Sequence, residues 1–159
     1  MVGKVVQKGE KITLDEKDAK LLALLQEDCR APYAELAKRL GVSASGVHKR
    51  VRRLIEEDVI TKFAAVVDPL VVGKKLKAFI GISTSPGMCG EVIAHLEQRP
   101  EVMEVHEVAG EHDLFVKLVT DDTLKLNEIL HEIDRIPGIN SSRTLIVLKT
   151  EKESGAIAL

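Results

Sequence analysis

Apolar positions along the chain follow a helical period up to about residue 60 and shorter, strand-like bursts after it. In LDEKDAKLLALLQEDCR, the residues Ala19, Leu21, Leu22, Leu24, Leu25 and Cys29 make one broad apolar stripe, with Asp15 placed as an N-cap. Pro32 suits the first turn of a second short helix, PYAELAKRL, whose Leu36, Ala37 and Leu40 point one way. Gly41 ends that helix, and Ser43 caps a third that runs to Glu57, with Val47, Val51, Leu54 and Ile55 as its inner face. A small Ala37 before the turn, Gly41 at the turn and Val47 after it are the spacing of a helix-turn-helix, because two helices can then cross closely over a sharp bend.

The β-branched segment at 59–67 predicts a strand leaving this unit, broken by Asp68-Pro69. Beyond it the pattern repeats weakly. AFIGIST at 78–84 and LFVKLVT at 114–120 read as strands, each followed by an amphipathic helix (90–98 and 123–135) and a proline loop at Pro100 or Pro137. Further strands at 102–109 and 142–149 complete βαββαβ, the ferredoxin-like arrangement. The fold class is therefore α+β: a winged-helix-like helix-turn-helix domain joined to a ferredoxin-like domain. The expected boundaries are a tail at 1–13, the helix-turn-helix at 14–62, a strand and linker at 63–76, the ferredoxin-like domain at 77–150 and a tail at 151–159. Such a sheet has helices on one face only. Phe79, Phe115, Val105 and Leu145 are available among the strand residues facing either way, and the uncovered face predicts a homodimer through a second copy.

Composition narrows the function. With 45% hydrophobic and 30% charged residues the chain is globular rather than disordered, and 3% aromatics with no Trp leave few rings for stacking on unpaired bases. No apolar run reaches the length of a membrane span, which predicts a cytoplasmic protein without a membrane partner. Cys29 and Cys89 lie far apart with no CxxC, so they read as small buried hydrophobes and no metal or cofactor is expected. The net charge of −2 conceals a split: residues 1–62 carry +3 and residues 63–159 carry −5. Between Leu36 and Ile55 lie Lys38, Arg39, Lys49, Arg50, Arg52 and Arg53 without a single acid. A basic face on a helix-turn-helix points to phosphates of duplex DNA.

With Val47 and Val51 turned inward, Ala44, Ser45, His48, Lys49 and Arg52 turn outward together with the cap Ser43. Residues near the start of a recognition helix reach base edges, so Ser45, His48 and Lys49 are the first candidates for readout, followed by Arg52. Arg53 and Lys38 are assigned to phosphates, and Arg50, near the inner side, to pairing with an acid. The bland alternative is a helical bundle with a solvated basic surface.

These residues resemble the Lrp/AsnC family of transcription regulators, the feast/famine proteins. The resemblance rests on Leu14-Asp15 at the first helix, on Ser43, Val47 and Arg50 in the third, on Asp68-Pro69 and Gly73, and on the turn Gly110-Glu111-His112-Asp113. The family commonly has Gly at the position of Asp58, and the tail before residue 12 is longer than usual. The resemblance implies a second domain that binds an amino acid, with dimers assembling to tetramers or octamers on a palindromic operator. Gly110 would allow close backbone approach, free N–H groups would take a carboxylate and Asp113 an ammonium, with Glu111, His112, Met103, Glu104, Thr144 and Ile146 shaping the pocket. The turn also reads as a plain hairpin with Asp113 capping its own backbone.

No catalytic residues are expected. Two rival functions remain open: an effector-independent protein that wraps DNA, and a tetrapyrrole decarboxylase, since some haem-biosynthesis enzymes resemble this two-part architecture. His95 and His131 lie on amphipathic helices where a surface role suffices.

Overall fold

The computed structural model describes residues 13–159, so most of the expected tail at 1–13 lies outside the described residues. The chain divides into two compact units, one of residues 13–65 with 154–159 and the other of 66–153.

The first unit contains α1 (Glu16–Glu27), α2 (Tyr33–Leu40) and α3 (Ala44–Glu56). Leu21, Leu36, Val47 and Leu54 are fully buried at their meeting point, joined by Leu25, Ala37, Leu40 and Val51. Two inner-face expectations fail. Ile55 is 44% exposed, because Leu54 and Val51 already fill the α3 stripe. Cys29 is exposed, because α1 ends at Glu27 and the Asp28 C-cap takes an extended conformation that throws Cys29 into the following turn. α3 stops where Asp58 adopts φ +55°, a left-handed conformation that glycine takes at lower cost and aspartate tolerates. The Val59 and Ile60 N–H groups then both bond the Leu54 carbonyl.

No strand forms over 59–67, and among the described residues this unit carries no wing. β-Branched residues favour a strand only when a partner ladder exists, and among the described residues none pairs with this segment. Phe63, Val66 and Val67 stay exposed. The tail does find a partner: the Gln26 side-chain amide donates to the Ile157 carbonyl and accepts from its N–H, copying a strand-like exchange.

The second unit is β1 (Leu76–Thr84), α4 (Cys89–Leu96), β2 (Val102–Glu107), β3 (Leu114–Thr120), α5 (Thr123–Ile133) and β4 (Ile139–Ile146). Its antiparallel sheet has the order β2-β3-β1-β4, the ferredoxin-like topology. β4 begins three residues before the expected start at 142, because Gly138 (φ +94°) turns the chain directly into Ile139, which pairs with Thr84 across a bulge. Ala78, Ile80, Ile82, Leu114, Val116 and Leu118 pack beneath Val92, Leu96, Ile129 and Ile133.

The opposite face carries Phe79 and Phe115, stacked with centroids 5.6 Å apart, beside the 52% exposed Leu145. Val105, whose side the sequence leaves open, packs against the core with its partner Val116. Lys77 and Lys117 share the open face and converge on Glu153. Hydrogen bonds from Lys117 and Lys77 hold the Glu153 carboxyl down at about 2.

Gly81 lies on the same face, and a larger residue there requires the His112 ring to shift. A Cβ there would lie 2.2 Å from Cδ2 of His112, whose ring covers the strand. Gly81→Ala is expected to lower stability by about 1–3 kcal/mol through this overlap. In thermal melts, His112→Ala in the same chain should restore most of that loss. Equal losses with and without His112 would show that the ring is not the obstacle.

Candidate DNA interface and effector loop

The turn between α2 and α3 is built from three local choices. Gly41 adopts φ +64°, ψ +42°, which lets the Val42 N–H bond the Ala37 carbonyl at 3.1 Å. Ser43 is extended, and its Oγ accepts from the Gly46 N–H at 3.0 Å, starting α3. Val47 and Val51 then bury, which leaves Ala44, Ser45, His48, Lys49 and Arg52 exposed on the outer side. All of these sequence-assigned readers therefore share one accessible helix face with Ser43.

The basic residues divide into committed and uncommitted groups. Asp18, only 1% exposed, reaches from α1 to accept from both Arg50 and Arg53 of α3. Arg50 also bonds Asp15 at 2.7 Å, while Asp15 and Asp18 cap α1 through each other's backbone N–H groups. Burial pushes the Asp18 carboxyl up, but hydrogen bonds from Arg53, Arg50 and the backbone outweigh this and hold it below the ordinary 3.8. Hydrogen bonds to Asp15 and then Asp18 raise Arg50 further, and the bond to Asp18 raises Arg53. Arg50 thus pairs with acids. Arg53, assigned to phosphates on sequence, spends its guanidinium on Asp18 and lies 3.7 Å from Glu57, because its helical position points at α1.

Among the described residues Arg52 pairs only with Glu56, one turn away on the exposed surface, a contact water screens strongly. Lys38 and Lys49 have no ion pair among the described residues, and Arg39 lies 3.9 Å from Glu27. The α3 face consequently offers Lys49 and Arg52 as its available cations. Tyr33 of α2 joins it: its ring meets His48 edge to face, with centroids 5.8 Å apart. Nothing in the residue types of PYAEL marked Tyr33 for this contact, which depends on the crossing of two helices.

In the second unit, the loop between β2 and β3 carries Gly110, Glu111, His112 and Asp113. Asp113 accepts from the Thr84 N–H at 2.6 Å and from Thr84 Oγ1 at 3.2 Å, so one carboxylate oxygen ties the loop to β1. Glu111 pairs with Arg143 at 3.0 Å. Gly110 faces open space and has no left-handed backbone, and it is Gly81 beneath His112 that close approach requires. Among the described residues, the N–H groups of Gly110, Glu111 and His112 donate no backbone hydrogen bond.

The remaining residues assigned to this pocket are not brought together within one chain. Met103 and Glu104 lie on the β2 edge, whereas Thr144 and Ile146 lie on β4 at the opposite edge, with β3 and β1 between. Glu104 is also occupied, bonding Lys117 at 2.9 Å and His106 at 3.2 Å. Sequence spacing could not reveal this, because strand order is not strand sequence. Among the described residues no cluster of His, Cys, Asp or Glu could hold a metal ion, and no helix is long and apolar enough to cross a membrane.

Comparison with known proteins matches both units. The sequence family described as the AsnC-type helix-turn-helix domain matches residues 14–55, and the Lrp/AsnC ligand binding domain matches residues 77–157. The HTH-type transcriptional regulator FL11 of Pyrococcus horikoshii is 41% identical over 144 residues, covering 91% of this chain and 95% of that protein. The solved structure of Escherichia coli AsnC is similar with a TM-score of 0.88 at 32% identity, covering 93% of this chain and all of that one. A feast or famine regulatory protein from Mycobacterium tuberculosis, solved in complex with L-methionine, gives a TM-score of 0.87 at 32% identity and covers 92% of this chain and all of that one.

Proposed function

The chain belongs to the Lrp/AsnC family of transcriptional regulators, and from that premise we propose that it reads a palindromic duplex operator as a twofold assembly tuned by an amino acid. The observation that carries the DNA reading is the outer face of α3, where Ser45, His48, Lys49 and Arg52 are exposed together while Arg50 and Arg53 are held back by Asp18. Side chains on that face meet base edges when the helix enters the major groove, and its cations meet phosphates. Lys38, in the last turn of α2, supplies a further phosphate contact.

Two such helices are needed for two half-sites. The stacked Phe79 and Phe115 with Leu145 give the open sheet face an apolar centre, which a second copy covers by twofold symmetry. Dimers joining through further contacts make tetramers or octamers.

The amino-acid response rests on the loop at 110–113. The N–H groups of Gly110, Glu111 and His112, which donate no backbone hydrogen bond among the described residues, suit a carboxylate, and Asp113, tied to Thr84 through one oxygen, is positioned for an ammonium group. Glu111 and His112 border the same loop. Since Met103 and Glu104 lie at one sheet edge and Thr144 and Ile146 at the other, a pocket using all of them takes residues from more than one subunit. In this reading ligand binding and assembly share one equilibrium. The solved relative from Mycobacterium tuberculosis holds L-methionine, and a free amino acid is the ligand class proposed here.

The test is calorimetric titration of the full chain with each of the twenty amino acids, alongside sedimentation with and without any that bind. Heat from at least one, with a shift in assembly size, is the expected result. No heat from any of them would leave an effector-independent DNA-binding assembly instead.

A further inference from the structure

Between α2 and α3 lies a hollow of about 550 Å³ lined by Tyr33, Ala44, Ser45, His48, Lys49 and Arg52. Its chemistry is mixed in a specific way. Its lining combines the aromatic Tyr33 and the small apolar Ala44 with the imidazole of His48 and the cations Lys49 and Arg52. In either neutral tautomer an imidazole carries one N–H donor.

We propose that this hollow is a thymine-reading pocket, in which Tyr33 and Ala44 receive the C5-methyl group while His48 donates to the adjacent O4. Thymine is the base whose major-groove edge sets an acceptor beside a methyl group. Cytosine would present a donor to the His48 N–H and no methyl to Tyr33 and Ala44. Charge complementarity fixes the occupant as duplex DNA, since Lys49 is unpaired among the described residues and Arg52 holds only an exposed partner. Tyr33 thereby becomes a specificity-determining residue on α2, outside the recognition helix. Its edge-to-face contact at 5.8 Å and 75° also fixes where the His48 ring stands. The inference rests on the DNA-binding reading of α3 given above.

The experiment begins with wild-type protein and a random duplex pool, from which bound sequences are selected. Each thymine of the selected duplex is then replaced in turn by deoxyuridine, which removes only the methyl group, and affinity is read by fluorescence anisotropy. At one thymine per half-site the substitution should weaken binding about fourfold, the worth of one buried methyl. Tyr33→Phe should keep that penalty and Tyr33→Ala should abolish it, with thermal melts confirming that both variants fold. His48→Ala should erase the preference for thymine at the same position.

A selected site in which no deoxyuridine weakens wild-type binding overturns the pocket without reference to any variant. So does a penalty that survives Tyr33→Ala. If the wild-type protein selects no sequence at all, the DNA-binding reading itself fails, which separates the two outcomes.

Discussion

Replacing Asp18 with alanine is expected to destabilise the helix-turn-helix unit by about 2–4 kcal/mol and to abolish DNA binding with it. One buried carboxylate performs three tasks: it caps the Asp15 N–H, and it holds Arg50 and Arg53. Losing one partner of a buried ion pair costs about 3–5 kcal/mol, and the figure is reduced here because both arginines are partly exposed and can turn to water. Urea melts followed by circular dichroism would measure the change, and a loss below the usual scatter for surface substitutions would remove Asp18 from the framework. Asp18→Asn should fall between, since the amide oxygen can still cap but carries no charge. The acid limb has a definite sign. The folded-state carboxyl lies below its ordinary 3.8, so its contribution is complete above that value and fades as pH falls from 3.8 towards the lowered value. The difference between wild type and Asp18→Ala should therefore shrink in that acid range.

The sequence disclosed the first unit well because its determinants are local. Ser43, Gly41, Val47 and Val51 act within one or two turns of their own position, and each does in the structure what its residue type predicts. The helix face of Arg50 is enough to assign it to an acid. The same geometry one step on, which gives Arg53 to Asp18, needed the distance between α1 and α3, a tertiary quantity. Residues 59–67 have the composition of a strand, yet composition does not supply a neighbour, and the segment stays unpaired among the described residues. Strand order decided the rest. The loop at 110–113 is contiguous and was legible, whereas the pairs Met103/Glu104 and Thr144/Ile146 are separated by two strands that no spacing rule reveals. Gly81 and Tyr33 were silent for a related reason: each matters through the ring it touches, His112 in one case and His48 in the other.

Neutralising Lys49 and Arg52 together by glutamine is expected to weaken operator binding by about 100-fold, while leaving the fold intact. Both side chains are exposed; Lys49 has no ion pair among the described residues, and the Arg52 contact with Glu56 is screened by water. Removing two cations that displace counterions should also flatten the dependence of log affinity on log salt by about 1.8 per DNA-bound subunit. Arg53→Gln is the informative contrast. Its guanidinium already neutralises Asp18, so the substitution should lower the urea midpoint and change the salt slope little. Anisotropy titrations across a salt series, run beside melts of each variant, separate the two kinds of arginine. If Arg53→Gln flattened the slope as much as the double variant while leaving the melt untouched, the assignment would invert. Arg53 would then face the DNA, and the clamp on Asp18 would rest on Arg50 alone, with Asp15 as the second acid that holds it.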